Sequence, residues 1–132
     1  MTKIRYRGNE FRLKRKRKLI AYQSDHEDQV FRNELAEVAS TNDNISFIIH
    51  KIIEISIMEQ VKAPVYKRFP QIIEDFGRLS IGDFRIFVHR IDSENWLMLS
   101  IYRKKSQKTP AIETNKALTR LYEYLKDNAI TI

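Results

Sequence analysis

The chain has no cysteine, so neither disulfides nor thiol chemistry is available to it. With only three glycines, Gly8, Gly77 and Gly82, no glycine-rich phosphate-cradling loop is available. Its three histidines are scattered and give no metal-ligand spacing. No apolar run approaches the roughly 18 residues of a membrane span. The N-terminus lacks the apolar core of a secretion signal. Together these absences predict a cytoplasmic protein with no metal or nucleotide cofactor. The 132 residues suit one domain with a modest core.

What is abundant is positive charge, and it is unevenly placed. The net charge is +7. Residues 1–18 hold nine cations and one acid, and the other 15 cations and 16 acids leave the rest of the chain at −1. The basic character therefore belongs to the N-terminal segment. A run such as Arg12–Lys18 is too charged to be buried as a strand. Residues 1–17 are expected to form a basic arm or edge hairpin, folded around Gly8-Asn9, with Lys14, Arg15, Lys16 and Arg17 available to RNA phosphates or an acidic partner. The domain proper is expected over residues 18–132.

Leu19, Ile20 and Tyr22 read as the first core strand. Val30, Phe31, Leu35 and Val38 recur at helical spacing, up to about Ser40. Thr41-Asn42-Asp43 can cap a second helix, in which Ile45, Ile48, Ile49 and Ile52 repeat. The β-branched residues Ile53, Ile55 and Ile57 would also suit a strand, but length and caps favour a helix. Pro64 and Pro70 limit regular structure until about Gln71. Arg78–Ile81, Phe84–Ile91 and Trp96–Tyr102 read as strands, joined by Gly82-Asp83 and by the polar loop Asp92–Asn95. Thr109 and Pro110 open a last helix with Leu118, Leu121 and Leu125 on its apolar stripe and Asn128 at its end. Helices followed by an antiparallel meander imply an α+β domain.

Strand alternation sorts the side chains, because residues two apart share a face. Phe84, Ile86 and Val88 form one face of their strand, and Arg85, Phe87 and His89 the other. Leu97, Leu99 and Ile101 suit the core. Trp96, Met98, Ser100 and Tyr102 would then share an open face with Arg85 and His89. After Tyr102 come Arg103, Lys104, Lys105 and Lys108. An aromatic hydroxyl beside a knot of fixed charge suits an RNA phosphate. Metal-free RNA cleavage needs a base for the 2′-hydroxyl, an acid for the leaving oxygen, and cations for the charge on phosphorus. Clustered lysines serve more than one of these roles, because neighbouring cations lower each other's pKa. An aromatic ring such as that of Tyr102 can hold a base by stacking.

The pair G-D-F-R-I-F at Gly82–Phe87 and K-K-S-Q-K-T-P at Lys104–Pro110 resembles the C-terminal half of RelE/HigB-type toxins of bacterial type II toxin–antitoxin pairs, including their phage-derived relatives. From about Lys18 to the first strand of the meander the resemblance is one of helix pattern alone. It implies a small twisted antiparallel sheet with helices packed on one face. It also implies a ribosome-dependent, metal-independent mRNA endonuclease, with no cofactor. Its partners would be the ribosome, mRNA and a cognate antitoxin bearing a helix-turn-helix domain. By the resemblance, Lys67 and Arg68 match the basic residues that follow the second helix. Arg85 matches the arginine of the family's Y-R-I-F strand. Tyr102, Arg103, Lys104 and Lys105 match the final-strand residues. Two departures stand out. Arg78-Leu79-Ser80 replaces an E-L-R-like segment, which puts Ser80 where the family has an arginine and leaves Arg78, on the same face, as the substitute. Ser100-Ile101-Tyr102 replaces an H-G-F-like triplet. The alternative reading is therefore a catalytically inactive relative that binds nucleic acid or protein. A small phage-encoded structural or regulatory protein is a third.

Overall fold

The computed structural model describes residues 2–6, 9–13, 15–24, 27–106 and 108–128. Two strands, β1 (Thr2–Tyr6) and β2 (Asn9–Leu13), pair antiparallel as a separate two-stranded sheet. The main sheet has five strands in the order β3-β7-β6-β5-β4: β3 is Lys18–Ala21, β4 Tyr66–Arg68, β5 Phe76–Ile81, β6 Phe84–Arg90 and β7 Asn95–Arg103. Three helices pack on it: α1 (Val30–Ala39), α2 (Asn42–Ile57) and α3 (Ala111–Asp127). The chain is thus an α+β fold around an open, mixed sheet.

The helices begin and end where their local chemistry directs. Ser40 takes the left-handed conformation that stops α1, and the Thr41 hydroxyl accepts from the Asn44 N–H at the start of α2. Phe31 and Ile48 are fully buried from these two helices. Leu19, Ala21 and Met98 face them, lining a shared hollow with Phe31, Leu35, Ile45 and Ile52. Ile20 and Leu97, side by side in the β3–β7 register, line a different hollow with Tyr124 of α3. Residues of opposite strand parity face opposite ways. Hence α1 and α2 cover one face, and α3 lies against the other.

The α+β class agrees with the sequence pattern, but several details differ from expectation. β3 joins β7 in parallel, so the sheet is mixed and not wholly antiparallel. The helices occupy both faces and not one. β4 lies inside the stretch expected to be irregular. The N-terminal hairpin pairs Thr2–Tyr6 with Asn9–Leu13, a shorter span than the residues 1–17 expected for it. Thr109 does not cap α3, whose N-cap is Pro110, because its hydroxyl is engaged elsewhere.

One network ties the layers together. The Glu34 carboxylate of α1 accepts from the Ile101 N–H of β7 at 2.9 Å, from Lys116 at 3.0 Å and from both terminal nitrogens of Arg120 at 2.9 and 3.0 Å. Arg120 also donates to the Leu99 carbonyl. Burial alone would raise the Glu34 pKa. The hydrogen bonds from Arg120, Ile101 and Lys116 outweigh it and hold the carboxyl below its ordinary value.

Candidate nucleic-acid interface

The faces of the sheet are set by a bulge. Phe87 pairs with Ser100, but the next residue of β6, Val88, pairs with Met98. Leu99 is the extra residue, and it reverses the alternation of β7 at that point. Ser100 and Tyr102 therefore share a face with Arg85, Phe87, Arg78 and Ser80. Trp96 and Met98 lie on the opposite face, contrary to the expectation that all four even-numbered residues of β7 would share one. Lys67 faces the same way as Arg78, its partner across β4 and β5.

On this face Arg78 is the centre. Its Nη1 donates to the Tyr102 hydroxyl at 3.2 Å and also to the Thr109 hydroxyl. Its guanidinium lies 5.5 Å from the Phe69 ring centroid, and the Lys67 ammonium lies 5.4 Å from the same ring. Phe69, Phe76, Phe87 and Tyr102 form a run of aromatic contacts beneath, with centroids 5.4–6.3 Å apart. Flat apolar rings fix the position of the cation without neutralising it. Among the described residues no carboxylate lies within ion-pair distance of Lys67, Arg78 or Arg85. The motif Lys104–Pro110 reaches this site through Thr109, whose hydroxyl the sequence pattern had assigned to helix capping.

Arg85 sits across from Tyr102 and Ser80, half-buried, and donates to the carbonyls of Gly82 and Phe84. Tyr102 is only 6% exposed, with its ring stacked on Phe87, so it offers a hydroxyl and not a free face for a base. Arg103 points to the other face and covers the Phe84 ring at 5.3 Å. Lys104, Lys105 and Lys108 are exposed beyond the strand end. Arg68 is exposed, but by alternation faces away from Arg78. His89 is half-buried with Nδ1 unpaired; burial lowers its pKa, against the opposing pull of Asp75.

The basic arm divides in two. Lys14 lies outside the described residues. Arg15 is exposed. Lys16 pairs with Glu59 at 3.2 Å. Arg17 is buried, contrary to expectation: its guanidinium donates to the Ile55 carbonyl and lies 5.5 Å from the Trp96 centroid. The Lys16 and Arg17 N–H groups both donate to the Ser56 carbonyl. The end of α2 thus supplies carbonyl acceptors that a charge count could not foresee.

A groove of about 530 Å³ runs along edge strand β4. Among the described residues five cations line it, Lys62, Lys67, Arg68, Arg78 and Arg90, and no acid does. Sequence reasoning missed Lys62 and Arg90. Arg90 ends β6 in the strand-like segment V-H-R-I, and a cation at a strand end was the available signal. Among the described residues no three acidic, histidine or cysteine side chains group as metal ligands. Among them, too, no helix is long and apolar enough to cross a membrane. Compared with known proteins, the chain matches no protein-family model and no curated protein sequence.

Proposed function

We propose that the chain is the toxin of a type II toxin–antitoxin pair, a RelE/HigB-type, ribosome-dependent and metal-independent mRNA endonuclease. The observation that carries this reading is the Arg78 site. An arginine with no carboxylate partner among the described residues is held by Tyr102 and by Thr109 of the K-K-S-Q-K-T-P motif, with Lys67 and Arg85 on the same face. In the reaction the RNA 2′-oxygen bonds to the adjacent phosphorus and the bond to the 5′-oxygen breaks. Arg78 and Arg85 offset the negative charge that grows on the phosphate. Lys67 and the Tyr102 hydroxyl are the groups within reach for moving protons off the 2′-hydroxyl and onto the leaving oxygen. Cytoplasmic action on translating ribosomes, and control by an antitoxin, belong to the same proposal.

The second reading, a silent relative that binds RNA without cutting it, is favoured by Ser80 and Ser100. Ser100 is fully buried, so it cannot meet a substrate where the family's motif has a histidine. The deciding experiment mixes purified chain with ribosomes programmed with a reporter mRNA and maps cuts by primer extension. Cuts made by the wild type and lost in Arg78→Ala support the nuclease. RNA retention with no cuts supports the silent relative.

A further inference from the structure

The proposed cleavage site uses one side of the β4 groove. The other side holds polar groups that it leaves unexplained. Tyr66 lies on the face opposite Arg78, by its pairing with Leu79, and Arg90 lies there too, by its pairing with Trp96. The Tyr66 and Trp96 rings are 5.0 Å apart, and the Arg90 guanidinium lies 5.3 Å from the Trp96 centroid. Tyr66 and Trp96 are 6% and 4% exposed. Three atoms here are buried with no well-formed hydrogen bond among the described residues: Tyr66 Oη, Trp96 Nε1 and Arg90 Nε. The indole and guanidinium nitrogens can only donate, and the phenol can donate. A buried donor left unpaired costs about 1–3 kcal/mol. Arg90 acts on the Tyr66 oxygen as a donor, so among the described residues the Tyr66 hydroxyl proton and the Trp96 N–H have no acceptor.

Charge points the same way. Arg17 and Arg90 lie over the Trp96 ring, and the charges of Arg90 and Arg68 are felt at Tyr66. Burial lowers the Arg17 pKa first, and Arg90 lowers it further by repulsion. Opposing this, the charge of Glu59 is felt at Arg17 and that of Asp75 at Tyr66. Neither carboxylate pairs with Arg68 or Arg90 among the described residues. Gly77 makes the arrangement possible. A Cβ there would stand 2.5 Å from Tyr66 Cε1, so only glycine lets the phenol lie across β5.

We propose that Tyr66, Arg68 and Arg90 form a second, phosphate-binding site at the β4 groove, distinct from the Arg78 site and on the other face of the sheet. Oxyanion chemistry fits it because a phosphate oxygen accepts from several donors at once, and guanidinium groups recognise it with paired N–H groups. Both terminal phosphates and RNA backbone phosphates carry this chemistry. The site needs no cleavage to operate, so it stands or falls apart from the nuclease reading.

Trp96 is the only tryptophan in the chain, so its fluorescence reports on the surroundings of this ring. Full-length protein would be titrated at constant ionic strength with inorganic phosphate, with a 5′-phosphorylated oligoribonucleotide and with the same oligomer lacking that phosphate. A saturable change is expected. Inorganic phosphate and the phosphorylated oligomer acting alone assign a terminal phosphate, and all three acting assign backbone phosphates as well. Arg90→Gln should weaken binding tenfold or more, Tyr66→Phe should weaken it severalfold, and Lys126→Ala, exposed in the last turn of α3, should leave it unchanged. No saturable response in the wild type would overturn the site. So would Arg90→Gln binding as tightly as the wild type with its circular dichroism unchanged.

Discussion

Replacing Glu34 tests the account of how the three layers are joined. Glu34 is 13% exposed in its side chain and Arg120 16%, whereas Lys116 is 37% exposed. The lysine is therefore well screened, and most of the worth lies in the Arg120 pair and the Ile101 N–H. Glu34→Gln keeps an acceptor for both but loses the charge. Because hydrogen bonds to charged groups contribute roughly 1.5–3 kcal/mol each against about 1 for neutral ones, the expected loss is about 2–3 kcal/mol. Glu34→Ala also strands the Arg120 guanidinium and the Ile101 N–H, and removing one partner of a buried ion pair costs about 3–5 kcal/mol. For a chain of this length about 4 °C of melting temperature follows each kcal/mol, so the two variants should melt roughly 10 °C and 16 °C lower. Differential scanning calorimetry at neutral pH measures both. The pH dependence gives a second reading. The Glu34 pKa is lowered from 4.5 on folding, so its stabilisation is fully present above that unfolded value. It is lost as pH falls through the lower folded value, and Glu34→Gln should lack that part of the acid limb. Melting temperatures within 2 °C of wild type for both variants would refute the claim that this network holds α1, β7 and α3 together.

Other outcomes follow from the same structure. Arg85→Ala should lower cleavage by on the order of 10²–10³ with the circular dichroism unchanged, whereas Lys104→Ala should lower it less because Arg103 and Lys105 remain nearby. If Arg85→Ala melts the domain, the residue is structural. Gly77→Ala should destabilise the chain by about 1–3 kcal/mol in urea unfolding, since its methyl would drive Tyr66 off the strand. Removing residues 1–14 deletes five cations and one acid and should flatten the salt dependence of RNA binding while leaving melting unchanged. Arg17→Ala, by contrast, should lower the melting temperature, because Arg17 bonds the end of α2.

The elements that local chemistry specifies were legible in the sequence. The Thr41 cap, the spacing of Phe31 and Leu35, the Gly82-Asp83 bend and the Asn128 stop all sit where the pattern put them. What escaped was tertiary. Periodicity says that Lys18–Ala21 is a strand but not that it joins β7 in parallel. β4 is three residues long between prolines, so it leaves no periodic signal. The bulge at Leu99 shifts half of a strand's side chains to the other face with no glycine to announce it. Of the candidate site, Arg78, Arg85, Tyr102 and Lys67 do share one face. Arg103 and Arg68 fall elsewhere, because a charge run names a region and strand parity names a side. Tyr66 and Arg90 were missed, since their side chains meet only once both pack against Trp96.

The central claim is mRNA cleavage on ribosomes, and expression in bacteria without an antitoxin tests it most directly. Primer extension on a reporter mRNA should show new cuts in frame and within translated regions only, with growth arrested, and Arg78→Ala should abolish both. Normal growth with intact mRNA, at expression verified by immunoblot, would contradict the nuclease reading.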